Sequence, residues 1–236
     1  NPDCRLTNSS GAYGTTISEH LIMVCLMLLR RQMEYTEIIC AGGWETLPGG
    51  IRSLHGARIT VLGTGDIGTE FARRAQAFHP ACITGVRRTV RSSDPAFTSI
   101  HAIAELDSVL PETDLLVMAL PSTAETVGIL SRERIALLPD SALVVNVGRG
   151  TAIDQEALCD ALNAGRLAGA ALDVVVPEPL PADHPLRRAK NLLLTPHVAG
   201  NMTLGYTCDK SVQMFCDDLE NYAAGRPLAQ LVDRKR

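Results

Sequence analysis

The chain has 236 residues, of which 46% are hydrophobic and 20% are charged, and its net charge at pH 7 is −4. At roughly 150 residues per domain this length suits one large domain or a domain and a half, and the composition excludes collagen, coiled coil and intrinsic disorder. An acidic balance and 4% aromatic residues argue against phosphate-backbone binding and base stacking. The longest apolar run, residues 21–29, is far shorter than the roughly 20 residues that span a bilayer. We therefore expect no nucleic-acid partner and no membrane partner.

Cysteine usage indicates the compartment. The chain has seven cysteines, an odd number, and no two of them form a C-x-x-C pair. Most lie in apolar stretches, so we expect reduced, buried thiols in a cytoplasmic protein, with no metal or redox site. No signal peptide is visible. The chain begins at Asn1 rather than at a methionine, as a piece of a longer protein would.

The first part of the chain contains one strongly apolar segment. Residues 1–14 are polar and predict a linker. Thr16 and Glu19 have the spacing of a capping box, which predicts a helix from that point to about Met33. Glycines and prolines over residues 41–50 predict a loop, and this loop carries the only tryptophan, Trp44.

A regular alternation of strands and helices follows. Short apolar runs predict strands over residues 58–62, 82–86, 114–118, 143–147, 168–174 and 191–194. Helical patterns cover residues 66–78, 100–110, 154–163 and 203–224, and residues 122–125 predict a turn or a further helix. Apolar strands that alternate with helices indicate a parallel sheet covered on both faces. The sequence therefore predicts an α/β fold with a doubly wound parallel sheet, the Rossmann type.

The first of these strands ends in a glycine motif. Residues 63–68 read G-T-G-D-I-G, which is G-x-G-x-x-G between a strand and a helix. In this motif Gly63 makes the tight turn, Gly65 lets the backbone approach a pyrophosphate, and Gly68 lets the helix pack on the strand. The amides of Asp66 and Ile67 would point at the phosphates from the helix N-terminus. The alternative is a glycine-rich turn that binds no ligand.

The end of the second strand bears on the choice of cofactor. NAD-binding domains usually place an acidic residue there to hold the ribose 2′-OH. Residues 85–91 read G-V-R-R-T-V-R instead, with Arg87 where the acid would stand and Arg88 beside it. Guanidinium groups match a 2′-phosphate with two hydrogen bonds. The sequence therefore favours NADP(H), with NAD(H) as the alternative, unless these arginines only form a solvated loop.

Three later segments place a polar residue just beyond an apolar strand, where open α/β sheets bind ligands. They carry Arg149, Glu178 and His197. Arg149 can hold a carboxylate with two hydrogen bonds, and His197 can exchange a proton near neutral pH. Glu178, if it reaches the imidazole, holds its tautomer. Each residue alone has a structural alternative, but their order behind a dinucleotide loop suits the reduction of a 2-keto acid by hydride.

These motifs together resemble the D-isomer-specific 2-hydroxyacid dehydrogenase family. The matching stretches are V-L-G-T-G-D-I-G, A-L-P-S-T-A-E-T-V-G-I-L, N-V-G-R-G-T-A-I-D, G-A-A-L-D-V-V-V-P-E-P-L-P and L-T-P-H-V-A-G. The resemblance implies that Arg149 binds the substrate carboxylate, that Glu178 is the partner of the histidine, and that His197 is the proton donor. The sequence departs from the usual family pattern at Gly148 and at Val176.

The resemblance also implies cofactor contacts beyond the glycine motif. Asp173 would bind the nicotinamide carboxamide. The backbone around six residues would line the nicotinamide ribose: Leu120, Pro121, Val147, Gly148, Ala199 and Gly200. Arg87 is similar to the residue found in NADP-using members of the family.

The family normally begins with a separate substrate domain, which this sequence lacks. Residues 1–10 would be a remnant of its connection, residues 11–200 the dinucleotide-binding domain, and residues 201–236 a C-terminal helix and tail that pack back on the missing domain. The apolar run 21–29 and the loop around Trp44 predict a homodimer, since the resemblance implies that they exchange across a two-fold axis.

The expected activity is the transfer of a hydride between a nicotinamide cofactor, preferably NADPH, and a small 2-keto acid or D-2-hydroxy acid. Glyoxylate and hydroxypyruvate are candidate substrates. The alternative is a dinucleotide-sensing interaction module, similar to the corepressors that share this fold. A third reading is a Rossmann scaffold that binds no cofactor.

Overall fold

The structure is a computed structural model that describes residues 4–90 and 94–232. Arg91 of the basic segment, the first residues of the expected connection and the last residues of the expected tail lie outside these ranges. The helices are α1 (Gly14–Leu29), α2 (Gln32–Cys40), α3 (Asp66–Ala75), α4 (Leu106–Val109), α5 (Arg132–Leu137), α6 (Gln155–Asn163) and α7 (Gly205–Ala223). The strands are β1 (Arg58–Leu62), β2 (Cys82–Arg87), β3 (Ser99–Ala102), β4 (Leu115–Met118), β5 (Leu143–Asn146), β6 (Gly169–Leu172) and β7 (Leu192–Leu194).

The strands form one parallel sheet in the order β3-β2-β1-β4-β5-β6-β7. The chain runs outward from β1 to β3 and then returns to β4 on the other side of β1. This reversal of direction between β1 and β4 is the switch point at which ligands of open α/β sheets bind. The structure confirms the predicted doubly wound α/β fold, and it confirms all six predicted strands.

Apolar side chains cover both faces of the sheet. In β4, Leu115 and Val117 pack in one core cluster, which includes Phe71 of α3. Leu116 and Met118 pack in a second cluster on the opposite face. This alternation follows from the two-residue period of a strand, and it explains why β4 is apolar throughout.

The predicted capping box at the start of α1 is wrong. The helix begins at Gly14, and its N-cap, Tyr13, makes no side-chain cap. The Gly14 amide instead donates to Asp66 Oδ2 at 2.7 Å, and the Thr16 hydroxyl donates to the carbonyl of Tyr13. A carboxylate on another helix therefore satisfies the amide that a local cap would have satisfied.

The first helix is also shorter than predicted. It ends at Leu29, and the chain reverses through Arg31, whose φ of 54° lies in the left-handed region. The Arg31 guanidinium supports this turn with bonds to the Glu34 carboxylate and the Pro48 carbonyl. The helix α2 that follows has no buried residue. Residues 41–50 form the predicted loop, and Trp44 is 91% exposed.

The predicted helix over residues 100–110 is wrong in its first half. Ser99–Ala102 form β3, which pairs with β2 at the edge of the sheet, and a 3-10 turn then leads into α4. The Glu105 carboxylate accepts the Ala102 amide at 2.8 Å, which ends the strand and starts the turn. Residues 122 and 123 are irregular and residues 124–128 form a turn, so the segment 122–125 is not a helix, and α5 was not predicted.

The later helices agree with the sequence. The Asp154 carboxylate accepts the Ala157 amide at 2.9 Å and caps α6, as its acidic start predicts. Within residues 4–90 and 94–232, none of the helices combines the length and the hydrophobicity that crossing a membrane requires.

Candidate active site

The turn between β1 and α3 has the shape that its glycines predict. Gly63 has a φ of 106°, and a Cβ on it would lie 2.7 Å from the carbonyl oxygen of Ala119. A Cβ on Gly68 would overlap the carbonyl oxygen of Gly63, so the helix can pack here only because the residue is glycine. Apart from its two chain neighbours, no described residue has a heavy atom within 4 Å of the position of a Cβ on Gly65. The turn is therefore closely packed against the protein at Gly63 and Gly68, and it is open at Gly65.

Asp66 and Ile67 are the first two residues of α3. Their amides have no acceptor within the helix, and they carry the positive end of its dipole. The Asp66 carboxylate faces the other way and holds the start of α1 through Gly14. The Ile67 side chain is partly buried against the core. The two amides therefore remain available to an anion while both side chains are engaged by the protein.

A cavity of about 910 Å³ opens at this edge of the sheet. Its lining comes from the turn after β1, the end of β2, the loop after β4 and both ends of the described chain: Asn8, Ser10, Gly63–Gly65, Arg87–Thr89, Leu120–Thr123, Glu125, Thr126 and residues 229–232. Among the described residues, the buried hydroxyl of Thr64 has no hydrogen-bond partner. The open glycine, the unpartnered hydroxyl and the basic wall fit a phosphorylated dinucleotide.

The basic wall contains an acidic residue, Glu125, whose place in this cavity the sequence did not predict. Arg87 is the last residue of β2 and lines the cavity. Arg88 also lines it, and its Nη1 atom lies 3.4 Å from Glu125 Oε2. Both partners of this pair are more than half exposed, so the pair is weak. Glu125 therefore places a negative charge at the wall where a 2′-phosphate is expected.

The loops after β4 and β5 pack directly against each other. A Cβ on Gly148 would lie 2.6 Å from the carbonyl oxygen of Leu120, so glycine is required where the sequence departs from the family pattern. The buried Asn146 side chain accepts the Gly148 amide at 2.9 Å and donates to the carbonyl of Arg149 at 3.0 Å. Val147 is buried and donates its amide to the last residue of β4. Pro121 is exposed beside Leu120.

Arg149 follows this turn and is exposed. Its Nη1 atom donates to the carbonyl of Gly148 at 2.6 Å, which leaves its other N–H groups free of any partner among the described residues. The next residue, Gly150, contacts the backbone of Val175 so closely that a Cβ would not fit. This contact holds the loop that carries Arg149 against the loop that leads to Glu178.

Glu178 and His197 are in contact. The Oε2 atom of Glu178 lies 2.8 Å from Nδ1 of His197, and its Oε1 atom accepts the amide of Val175 at 3.0 Å. Partial burial opposes ionisation of this carboxyl group, but the bonds from His197 and Val175 outweigh it and hold its pKa below the usual value. The carboxylate is therefore charged near neutral pH and fixes Nδ1 of the imidazole as a donor.

The turn that presents His197 is built around Asp173, which is only 4% exposed. Its carboxylate accepts the Thr195 hydroxyl at 2.6 Å and the amides of Val198 and Ala199 at 2.9 and 3.0 Å. His197 itself has a φ of 55°. Asp173 therefore holds both sides of this left-handed position, a role that the sequence did not predict.

The order of the strands explains why Arg149, Glu178 and His197 lie at one edge of the sheet. β5, β6 and β7 are neighbours, so Arg149, Glu178 and His197 lie on three adjacent loops at the carboxyl edge. Glu178 and His197 also line a cavity of about 610 Å³. Among the described residues, no hydrogen bond joins Arg149 to either of them. Gly200 packs against Ile17 of α1, because a Cβ on Gly200 would lie 3.0 Å from the Ile17 side chain.

Sequence reasoning missed Asn146, Glu125 and Thr195. Asn146 and Thr195 stood inside segments that had been singled out, where a polar side chain directly after an apolar strand was a usable signal. Glu125 belonged to the segment that predicted a turn or a further helix, but no local pattern pairs it with Arg88, which is 37 residues away in the chain.

A parallel sheet with a G-x-G-x-x-G turn at its switch point defines a Rossmann-type dinucleotide-binding domain. The profile of the D-isomer specific 2-hydroxyacid dehydrogenase, NAD binding domain, matches residues 22–199. The chain belongs to this family, which confirms the resemblance seen in its motifs.

Glyoxylate/hydroxypyruvate reductase B of Pectobacterium carotovorum (strain PC1) is 36% identical over 190 residues, which are 78% of this chain and 58% of that protein. The chain thus spans little more than half the length of this curated relative. A D-isomer specific 2-hydroxyacid dehydrogenase from Xanthobacter autotrophicus Py2, solved with NADPH and MES, has a TM-score of 0.87 and 29% identity over 100% of this chain and 94% of that one. An NADPH-dependent glyoxylate/hydroxypyruvate reductase from Sinorhizobium meliloti, solved with NADP and sulfate, has a TM-score of 0.86 and 27% identity over 98% of this chain and 72% of that one.

Proposed function

We propose that the protein is an oxidoreductase that transfers a hydride between NADP(H) and a small 2-keto acid or D-2-hydroxy acid. The observation that carries this proposal is the 2.8 Å contact between Glu178 and His197, at the same sheet edge as the open glycine turn. An oriented acid–base pair beside a dinucleotide site is what carbonyl reduction needs. The names of the relatives support the same activity.

His197 is the proton donor in this proposal. Because Nδ1 faces Glu178, the other ring nitrogen, Nε2, is the one that can give a proton to a substrate. In the reductive direction the keto carbon gains a hydride and the keto oxygen gains this proton, so a carbonyl becomes a hydroxyl. The bound cofactor supplies the hydride. Glu178 stabilises the charged imidazole before the transfer and keeps the ring oriented after it.

Arg149 binds the substrate carboxylate. Its guanidinium is exposed and donates one N–H group to the carbonyl of Gly148. The remaining groups can form two parallel bonds to a carboxylate and polarise the neighbouring carbonyl. The contact between Gly150 and the backbone of Val175 keeps this arginine next to the loop of the acid–base pair.

The cofactor-binding residues are those that line the edge from β2 to β7. The turn from Gly63 to Gly68, with the amides of Asp66 and Ile67, would hold the phosphates. Arg87 and Arg88 would hold a 2′-phosphate. The two similar structures that were solved with NADPH or NADP support this assignment. The nicotinamide end would meet Asp173 and the residues named for its ribose: Leu120, Pro121, Val147, Gly148, Ala199 and Gly200.

The exposed apolar face of the C-terminal helix α7 is an argument for a further domain in the whole protein. Val212, Phe215, Leu219 and Tyr222 of α7 are each more than half exposed, which is a large apolar surface for a soluble domain. The greater length of the relatives supports covering of this face by a substrate domain. Residues 11–200 would then be the dinucleotide-binding domain, with residues 1–10 and 201–236 as its connections. All seven cysteines are free, but only Cys25 and Cys159 are buried, so the expectation of mainly buried thiols is wrong. Free thiols are usual in the reducing cytoplasm, where we place the protein.

One experiment tests the function. The full-length gene product is assayed with a panel of 2-keto acids that includes glyoxylate and hydroxypyruvate, with NADPH and NADH in turn. We expect oxidation of NADPH that depends on the keto acid. Tight dinucleotide binding without turnover of any member of the panel would favour the sensing module instead. If neither cofactor raises the melting temperature, the remaining interpretation is a Rossmann scaffold that binds no cofactor.

A further inference from the structure

The two ends of the described chain are joined beside the cofactor cavity. Thr7 and Leu231 form an antiparallel bridge. The amide of Asn8 donates to the carbonyl of Gln230 at 3.2 Å, and the amide of Val232 donates to the carbonyl of Leu6 at 2.8 Å. We call this paired structure, residues 6–8 and 229–232, the terminal clasp.

A buried carboxylate on α7 holds the terminal clasp in place. Asp218 is 5% exposed. Its Oδ1 atom accepts the amide of Ala229 at 2.7 Å, and its Oδ2 atom accepts the amide of Gln230 at 3.1 Å. Hydrogen bonds to an ionised acceptor are stronger than those between neutral groups. A charged group is costly to bury unless its partners are present, so Asp218 favours the conformation in which both amides reach it.

The position of the terminal clasp points to its ligand. Asn8 and residues 229–232 line the same cavity as Gly65, Arg87 and Arg88. In a Rossmann domain the end of the second strand meets the adenosine ribose, and the glycine turn meets the pyrophosphate. Residues of the clasp therefore share the space that the adenosine half of a dinucleotide would fill.

We propose that the terminal clasp is one wall of the dinucleotide site, where it covers the adenosine half, and that Asp218 is its positioning residue. This inference rests on the proposed dinucleotide function. The clasp supplies neutral polar groups, the side-chain amides of Asn8 and Gln230 among them, opposite the cationic wall formed by Arg87 and Arg88. Ligand and clasp would then be ordered together, because each closes a surface that the other leaves open.

The test compares Asp218→Asn with Asp217→Asn. Asp217 is the adjacent residue, is exposed and bonds only Gln213 among the described residues, so its variant loses one carboxylate from the same helix without touching the clasp. The affinity for NADPH is measured by fluorescence titration, and exchange of the amides of Ala229 and Gln230 is measured by hydrogen–deuterium exchange with and without NADPH. We expect Asp218→Asn to raise the Kd by about tenfold, to speed exchange at both amides and to leave the fold intact by circular dichroism. We expect Asp217→Asn to match the wild type.

The possible results separate the clasp from the dinucleotide function. If the wild-type protein binds neither NADPH nor NADH, the proposed function fails. If it binds NADPH but the cofactor leaves exchange at residues 229 and 230 unchanged, or if Asp218→Asn speeds exchange without a change in Kd, the function stands and the clasp proposal is overturned. Should Asp218→Asn not unfold cooperatively, Ala229→Pro replaces it, because it removes one amide that donates to Asp218. The same rise in Kd and faster exchange at Gln230 are then expected.

Discussion

Glu178 joins two loops through one carboxylate. Its Oε1 atom binds the amide of Val175 in its own loop, and its Oε2 atom binds Nδ1 of His197 in the loop after β7. A single side chain thus sets both the tautomer and the place of the imidazole. The arrangement leaves Nε2 as the only ring nitrogen that can serve a substrate.

The first prediction concerns His197. We expect His197→Gln to lower kcat by about 10²-fold or more, because general acid catalysis is lost. The Kd for NADPH should barely change, because the imidazole lies beyond the nicotinamide in our proposal. Arg149→Gln should raise KM strongly as well, since Arg149 would bind the substrate in ground and transition states alike. Steady-state kinetics and a cofactor titration measure the effects of both variants. Near-normal turnover in His197→Gln would exclude His197 as the acid.

The second prediction concerns an ion pair at the opposite edge of the sheet. Asp114 accepts the backbone amide, Nε and Nη2 of Arg58 at 2.8, 3.2 and 2.9 Å. The bond from the Arg58 guanidinium holds the pKa of Asp114 below its usual value of 3.8. A carboxyl group with a lowered pKa adds stability above the unfolded value, and this stability is lost as the pH falls through the folded value.

We therefore expect Asp114→Asn to lower the free energy of unfolding at pH 7 by about 1 kcal/mol, after allowing for the partial exposure of the pair. The difference from the wild type should shrink as the pH falls below 3.8. Glu112→Gln is the control, because Glu112 is 79% exposed and 3.7 Å from Arg58. Urea unfolding at several pH values measures both variants. A constant difference down to pH 3 would contradict the linkage.

The third prediction concerns assembly. The apolar run 21–29 is weaker support for a dimer than the sequence suggested, because most of it is buried within its own chain: Leu21, Val24, Cys25, Leu28 and Leu29. The remaining support is α2, which has no buried residue, and the exposed Trp44. We still expect a homodimer that covers Trp44. Light scattering at micromolar concentration should give twice the monomer mass.

The same assembly has an optical test, since Trp44 is the only tryptophan. Its emission should shift to shorter wavelength as the protein is concentrated and the indole leaves water. Trp44→Ser should weaken the dimer while leaving the far-ultraviolet circular dichroism unchanged. A monomeric mass together with a solvent-exposed emission at every concentration would refute the dimer.

Elements of this fold are predictable from the sequence where their local pattern is strong. The six predicted strands are short, mostly apolar runs, and burial on both faces is what makes such runs visible. β3 was missed because its four residues are half-exposed at a sheet edge, where apolar content is weak. α2 was missed for the same reason, since a helix with no buried face has no apolar period.

The site shows the same division. The glycine turn and the contact between Glu178 and His197 could be expected, because short motifs carry them. The capping of α1 by Asp66 joins residues 52 positions apart, and the bonds of Asp218 to Ala229 and Gln230 join residues 11 and 12 positions apart across the end of α7. No local pattern encodes such contacts, so only the folded chain reveals them.

The fourth prediction concerns Glu125. Its carboxylate lies 3.4 Å from Arg88 in the wall of the cofactor cavity, so it would compete with a 2′-phosphate for that guanidinium. We expect Glu125→Gln to lower the KM for NADPH about threefold and to leave the KM for NADH unchanged, because only NADPH carries the additional phosphate. Asp107→Asn is a control, since Asp107 pairs with Arg134 away from this cavity. An equal change for both cofactors would show that Glu125 acts on the shared part of the site.

The last prediction is the choice of cofactor, which depends on Arg87. This residue ends β2 and lines the cavity, where an acidic residue would accept hydrogen bonds from a 2′-OH and repel a 2′-phosphate. A charged hydrogen bond contributes about 1.5 to 3 kcal/mol, which corresponds to roughly a tenfold to hundredfold preference. We expect NADPH to exceed NADH by at least about tenfold in kcat/KM, and the preference to fall as salt screens the exposed guanidinium groups. Arg87→Asp should reverse the order, because it removes an attraction and adds a repulsion. Equal use of both cofactors by the unmodified protein would show that Arg87 does not meet the phosphate.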